Sequence, residues 1–134
     1  MSGAPASRER GAPPEMRPGE RIAAEVESWP GVSSGPHRFG GVEFRLGRRE
    51  LGHLHGDRIA DLAFPRRVRD ELIASGRARP HHVLPESGWV TVPIHADDLD
   101  AVIELFRLAY ERGTAAAKRR AAPEPRRPSR GTAP

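Results

Sequence analysis

Residues 36–57 read Pro36-His37-Arg38-Phe39-Gly40-Gly41-Val42-Glu43-Phe44-Arg45-Leu46-Gly47-Arg48-Arg49-Glu50-Leu51-Gly52-His53-Leu54-His55-Gly56-Asp57. Val42, Phe44 and Leu46 alternate with Glu43 and Arg45, the period of a strand with one buried face. Gly40-Gly41 and Gly47-Arg48 supply the backbone freedom of tight hairpin turns. Glu50 to His55 is then a second strand. Gly56-Asp57 turns into a third, Arg58 to Phe64. The stretch predicts an antiparallel meander.

Around the meander the periodicity changes to that of helices. Ile22, Val26 and Trp29 fall on one helical face, which Pro30-Gly31 ends. Pro65 suits the first turn of another helix, with Val68, Leu72 and Ile73 as its stripe and Gly76 placed at its C-terminal end. Trp89 to His95 is a further strand. Asp97 or Asp98 is a good N-cap for a last helix, whose stripe is Leu99, Val102, Ile103, Phe106, Ala109 and Tyr110, with Gly113 as its end. Strands joined by tight turns and flanked by helices give an α+β class: an antiparallel sheet with three helices packed mainly on one face.

The 134 residues suit one modest domain, expected over 18–112. Residues 1–17 hold three prolines and few bulky apolar groups, and 113–134 hold four prolines. Both are expected to be disordered tails, because they cannot bury enough surface to offset the entropy of ordering. The net charge of +4 divides unevenly. Segment 113–134 carries +5 and segment 1–17 carries +1, which leaves −2 on the expected domain. A nucleic-acid surface on the fold is therefore not expected, since phosphate binding needs clustered positive charge. The C-terminal tail is a weak nucleic-acid candidate, set against a solvated tail that aids solubility. Cysteine is absent, which excludes disulfides and thiolate metal sites. No run approaches the roughly 20 apolar residues of a membrane span, and no apolar signal core follows Met1, so a soluble cytoplasmic protein is expected.

Five of the six histidines lie in three groups: His37, His53 with His55, and His81 with His82. Residues two apart leave the same face of a strand, so His53 and His55 point together. A two-residue turn at Gly47-Arg48 would pair Phe44 with Leu51 and Val42 with His53. With a second two-residue turn at Gly40-Gly41, that register puts His37, Phe39, Val42, Phe44, Leu51, His53 and His55 on one apolar face; a three-residue loop or a bulge would break it. Imidazoles converging at the end of an apolar face make a candidate pocket for a small molecule. In it His53 and His55 are candidate catalytic acid/base groups or metal ligands, completed by His81 or His82 and by Asp57 in the turn beyond. Neutral imidazoles with one carboxylate suit zinc, iron or another first-row divalent metal. His37, Phe44 and Trp89 are candidate ligand contacts. The alternative is that the histidines hydrogen-bond to the backbone and only stabilise the meander. His95 falls on the opposite parity and is expected at the surface. The metallohydrolase pattern HxHxDH is not met, because Arg58 stands at its last histidine. Arg66, Arg67 and Arg69 either face an anion or form a solvated helix face.

Several landmarks resemble one known family. They are Trp29-Pro30-Gly31, His37-Arg38-Phe39-Gly40-Gly41, Glu43-Phe44, Gly52-His53-Leu54-His55-Gly56-Asp57, Asp61-Leu62, Phe64-Pro65, Pro80-His81-His82 and Ser87-Gly88-Trp89-Val90. Together they identify residues 22–112 as similar to the small bacterial luciferase-like domains, a family named after the fungal luciferases. Those enzymes oxygenate a hydroxypyrone luciferin with O2. The resemblance implies a small-molecule site and oxygenase-like chemistry. Against it stands a non-catalytic binding module, nucleic-acid associated through the basic tail.

Overall fold

A computed structural model describes residues 16–37 and 40–121. Helix α1 (Pro18–Glu27) leads into strands β1 (Val32–Pro36), β2 (Val42–Leu46), β3 (Arg49–His55) and β4 (Ile59–Ala63). Helix α2 (Arg66–Ala74), strands β5 (Arg79–Pro80) and β6 (Trp89–Pro93) and helix α3 (Leu99–Ala121) complete the chain. The six strands form one antiparallel sheet in the order β1-β2-β3-β4-β6-β5. The α+β class holds. No helix among the described residues is long and apolar enough to cross a membrane.

The hairpin turn at Gly47-Arg48 forms, with Leu46 paired to Arg49 and Arg45 to Glu50. The next pair is Phe44 with Gly52, so Leu51 is an extra residue on β3. This bulge shifts the register by one, which sends every later side chain of β3 to the opposite face. The expected pairs Phe44–Leu51 and Val42–His53 are replaced by Phe44–Gly52 and Val42–Leu54. The histidines therefore do not share the apolar face. Leu51 and Leu54 enter the core, and Glu50 and His53 turn away from it.

Two rows of side chains now cross the sheet. Phe44, Gly52, Leu62 and Val90 lie side by side on β2, β3, β4 and β6. Glu43, His53, Asp61 and Thr91 form the adjacent row, on the other face. The first row meets the helices. Phe44 and Phe106 are fully buried and pack edge to face at 5.4 Å. Ile22 and Val26 of α1 and Val102 and Leu105 of α3 are buried in the same core. Helix α2 lies against β5 and β6, with Leu72 buried. Its end is closed by Gly76 at φ +79°, whose N–H donates to Ile73 O at 3.1 Å.

Helix α3 does not stop at Gly113. It runs on to Ala121, so the first nine residues of the expected C-terminal tail are helical. Gly113 is buried, and a Cβ there would lie 2.9 Å from Leu46 Cδ2. The glycine thus serves close helix–sheet packing, and Ala115, Ala116, Ala117, Lys118 and Arg119 beyond it are good helix formers. Of the expected tails, residues 1–15 and 122–134 lie outside the described residues, as do Arg38 and Phe39. The C-terminal helix is tied down by Tyr110, whose hydroxyl donates to Pro30 O at 2.7 Å and whose ring meets Trp29 at 5.3 Å.

Candidate metal centre

Strand β4 carries Ile59-Ala60-Asp61-Leu62-Ala63, one carboxylate among apolar residues. Asp61 sits in the middle of the sheet with no exposed surface. A buried carboxylate costs several kcal/mol in lost hydration unless polar partners replace the water. Here they do. Oδ1 accepts from the Thr91 hydroxyl at 2.7 Å, from the neighbouring strand. Oδ2 faces four imidazoles: Nε2 of His55 at 3.0 Å, of His82 at 3.1 Å, of His53 at 3.2 Å and of His81 at 3.4 Å. Burial alone would raise the Asp61 pKa. Hydrogen bonds from His53, Thr91 and His82 and the charge of His81 override it and hold the group well below the ordinary carboxylate range.

The histidines arrive from two directions. His53 and His55 leave the same face of β3, one pairing with Asp61 and the other beyond it. His81 and His82 come from the segment between β5 and β6 and stack on each other at 4.4 Å. That segment is pinned from α2: the Arg66 guanidinium donates to Glu86 O at 2.7 Å, and that of Arg69 donates to Pro85 O. These two arginines hold backbone, and Arg66 and Arg67 are exposed on the helix surface.

The ring nitrogens are not equivalent. His53 Nδ1 lies 2.8 Å from Glu50 Oε2, so its two nitrogens face two carboxylates. Burial opposes protonation of this ring, but the hydrogen bonds with Asp61 and Glu50 outweigh it and raise the pKa. His81 differs. Its Nδ1 accepts from the N–H groups of Val83 and Leu84 at 3.1 and 3.0 Å. Burial, with the nearby His82 and His53, lowers its pKa against the pull of Asp61.

Aromatic rings wall the cluster. His37 stacks on His53 at 3.9 Å, and Trp89 approaches His53 at 5.3 Å and His81 at 6.1 Å. The His82 side chain is 47% exposed, next to Val83 and Leu84 at 67% and 52%.

Two sequence candidates stand apart. Phe44 is in the core on the helix-covered face, because of the bulge at Leu51. Asp57 turns toward α1, where Oδ1 accepts from Gly19 N–H at 2.8 Å. It satisfies a backbone donor of the helix N-terminus, which has no intrahelical partner. His37, His53, His55, His81, His82 and Trp89 are brought together, and His95 is exposed. The carboxylate at their centre is Asp61 rather than the expected Asp57. The signal was present: a charged residue in the middle of an apolar strand needs a partner inside.

Among the described residues, three sets of side chains bring ligand atoms within 4.8 Å of one another: His53 with His55 and Asp61, Asp61 with His81 and His82, and His37 with Glu50 and His53. Residues 48–109 match the family model described as Luciferase domain. That span contains His53, His55, Asp61, His81, His82 and Trp89. No curated protein and no solved structure matches the chain.

Proposed function

We propose that this chain carries a luciferase-like domain whose imidazole cluster holds a first-row divalent metal on His53, His55 and Asp61, where a small ligand binds and undergoes oxygenase-like chemistry. Two histidines and one carboxylate on one side of a metal make the facial set typical of non-haem iron(II) oxygenases, with positions left open for substrate and dioxygen. The observation that carries the reading is the spacing around Asp61 Oδ2. Metal bonds of roughly 2.0–2.1 Å put neighbouring ligand atoms about 3.0–3.4 Å apart, and Nε2 of His55 and of His53 stand 3.0 and 3.2 Å from that oxygen.

The surroundings support the same reading. Glu50 at Nδ1 of His53 is the carboxylate partner that orients a metal-binding imidazole and raises its basicity. Thr91 holds Oδ1, which leaves Oδ2 to point at the imidazoles. His82 is the most exposed of the four rings, beside the exposed Val83 and Leu84, and would be the ring an approaching ligand meets first.

Metal analysis of the purified protein tests this, beside the His53→Ala/His55→Ala double variant. About one Fe(II), Zn(II) or similar ion per chain is expected, and its loss in the variant. Nitric oxide, as a dioxygen surrogate, should give a high-spin iron–nitrosyl EPR signal with the Fe(II)-loaded protein. A protein that retains no metal, takes up neither Fe(II) nor Zn(II) and melts unchanged in the double variant would end the proposal.

A further inference from the structure

Four imidazoles reach Asp61, but their tautomers divide them. At His81, Nδ1 accepts two backbone N–H groups, from Val83 and Leu84. A nitrogen that accepts has its lone pair outward and bears no hydrogen, so in the neutral ring the proton is on Nε2. That nitrogen is the one that faces Asp61 Oδ2. It has no lone pair for a metal. To bind one it would have to lose its remaining proton, or move the proton to Nδ1 and forfeit both backbone contacts. His53 has the reverse arrangement, with a carboxylate at Nδ1 and Nε2 turned to the centre.

We infer that His81 is a fixed N–H donor beside the centre, not one of its ligands, and that it serves a small ligand bearing a carbonyl or oxyanion oxygen. The inference rests on the metal-centre reading for its ligand. At 3.4 Å its contact with Asp61 is the longest of the four, beyond the usual N–H···O range of about 2.7–3.2 Å, so it is the partner an incoming oxygen would displace at least cost. The backbone that fixes the ring is itself held, through Arg66 on Glu86 O and Arg69 on Pro85 O. The ring is packed between His82 at 4.4 Å and Trp89 at 6.1 Å. A donor locked in this way needs no reorganisation when a negative oxygen appears in front of it.

Long-range 1H–15N correlation spectra of the imidazoles of the full chain decide the point. In the metal-free protein His81 should be the Nε2–H tautomer; an Nδ1–H tautomer overturns the inference. On addition of Zn(II), Nε2 of His53 and His55 should become metal-bound while His81 keeps its Nε2–H, and loss of that hydrogen also overturns it. If Zn(II) fails to bind, the metal-centre reading fails, and the metal-free tautomer still decides what His81 is. His81→Gln keeps an N–H at similar reach and should leave the Zn(II) Kd within about threefold, whereas His53→Gln should raise it at least about tenfold. Acetate serves as the oxyanion probe. His81→Leu should weaken its binding to the Zn(II)-loaded protein about fivefold, with His81→Gln near wild type. Equal acetate affinity in all three would remove the donor role.

Discussion

The Thr91 hydroxyl donates to Asp61 Oδ1 at 2.7 Å across the β4–β6 pairing, and this single contact divides the carboxylate. One oxygen belongs to the sheet and the other to the histidines. A carboxylate with both oxygens free would rotate among the four imidazoles; held at Oδ1, it presents Oδ2 at a fixed place.

Thr91→Val keeps the shape of the side chain and removes the donor. The buried Oδ1 is then unpaired, which should cost about 1–3 kcal/mol. Urea denaturation of the metal-free protein measures it. A variant as stable as wild type would mean that water or another group replaces the hydroxyl.

Glu50→Gln tests the support behind His53. A neutral amide at Nδ1 makes the imidazole a weaker ligand and no longer fixes its tautomer. Zn(II) affinity should fall by about 10- to 100-fold, with a melting temperature close to wild type because Glu50 is partly exposed. Unchanged affinity would place Glu50 outside the centre.

The metal-free protein should show an uneven pH profile. Asp61 has a folded pKa below its ordinary 3.8, so its contribution is present above 3.8 and is lost as pH falls through the folded value. His53 is raised above 6.5, and its contribution is present below 6.5 and lost as pH rises through the folded value. His81 is lowered below 6.5, so its contribution is present above 6.5 and lost as pH falls through the folded value. The two rings oppose each other around neutrality. Removing one exposes the other: between pH 7.5 and pH 5 the wild type should lose more stability, or gain less, than His81→Gln. Urea midpoints of both proteins at the two pH values read the difference, and parallel profiles would contradict it.

Gly52→Ala should couple the core to the site. A Cβ at Gly52 would stand 2.5 Å from Asp61 O and 3.0 Å from Phe106 Cε1, so β4 or α3 must move. The expected loss is about 1–3 kcal/mol, with weaker Zn(II) binding because the displaced strand carries Asp61. Gly35→Ala in β1 is the control, since nothing lies within 4 Å of a Cβ there. It should stay within about 0.5 kcal/mol of wild type. A Gly52→Ala protein that melts and binds Zn(II) like the control would show that the sheet yields freely at this point.

Local patterns carried much of the fold. The alternation in Val42 to Leu46, the Gly47-Arg48 turn, the stripe from Leu99 to Tyr110 and the Gly76 cap are each set by neighbours a few residues away, so they were legible in the chain. That His53 and His55 point together also followed from sequence, through alternation in β3, but only one of His81 and His82 was expected beside them, whereas both face Asp61. What sequence could not supply was the face. One extra residue, Leu51, turns His53 and His55 from the helix side of the sheet to the other; the isolated Gly52 is a local bulge signal, but only the pairing with β2 decides that the bulge forms there. The identity of the carboxylate followed from the same long-range pairing. Asp57 is two residues from His55, yet it caps α1. Asp61 is six residues from His55 and twenty from His81, and it meets both because β4 lies between β3 and β6. Sequence determined which elements form and which residue types are available for chemistry. Strand register and sheet order, which depend on contacts between distant segments, decided which carboxylate the histidines surround.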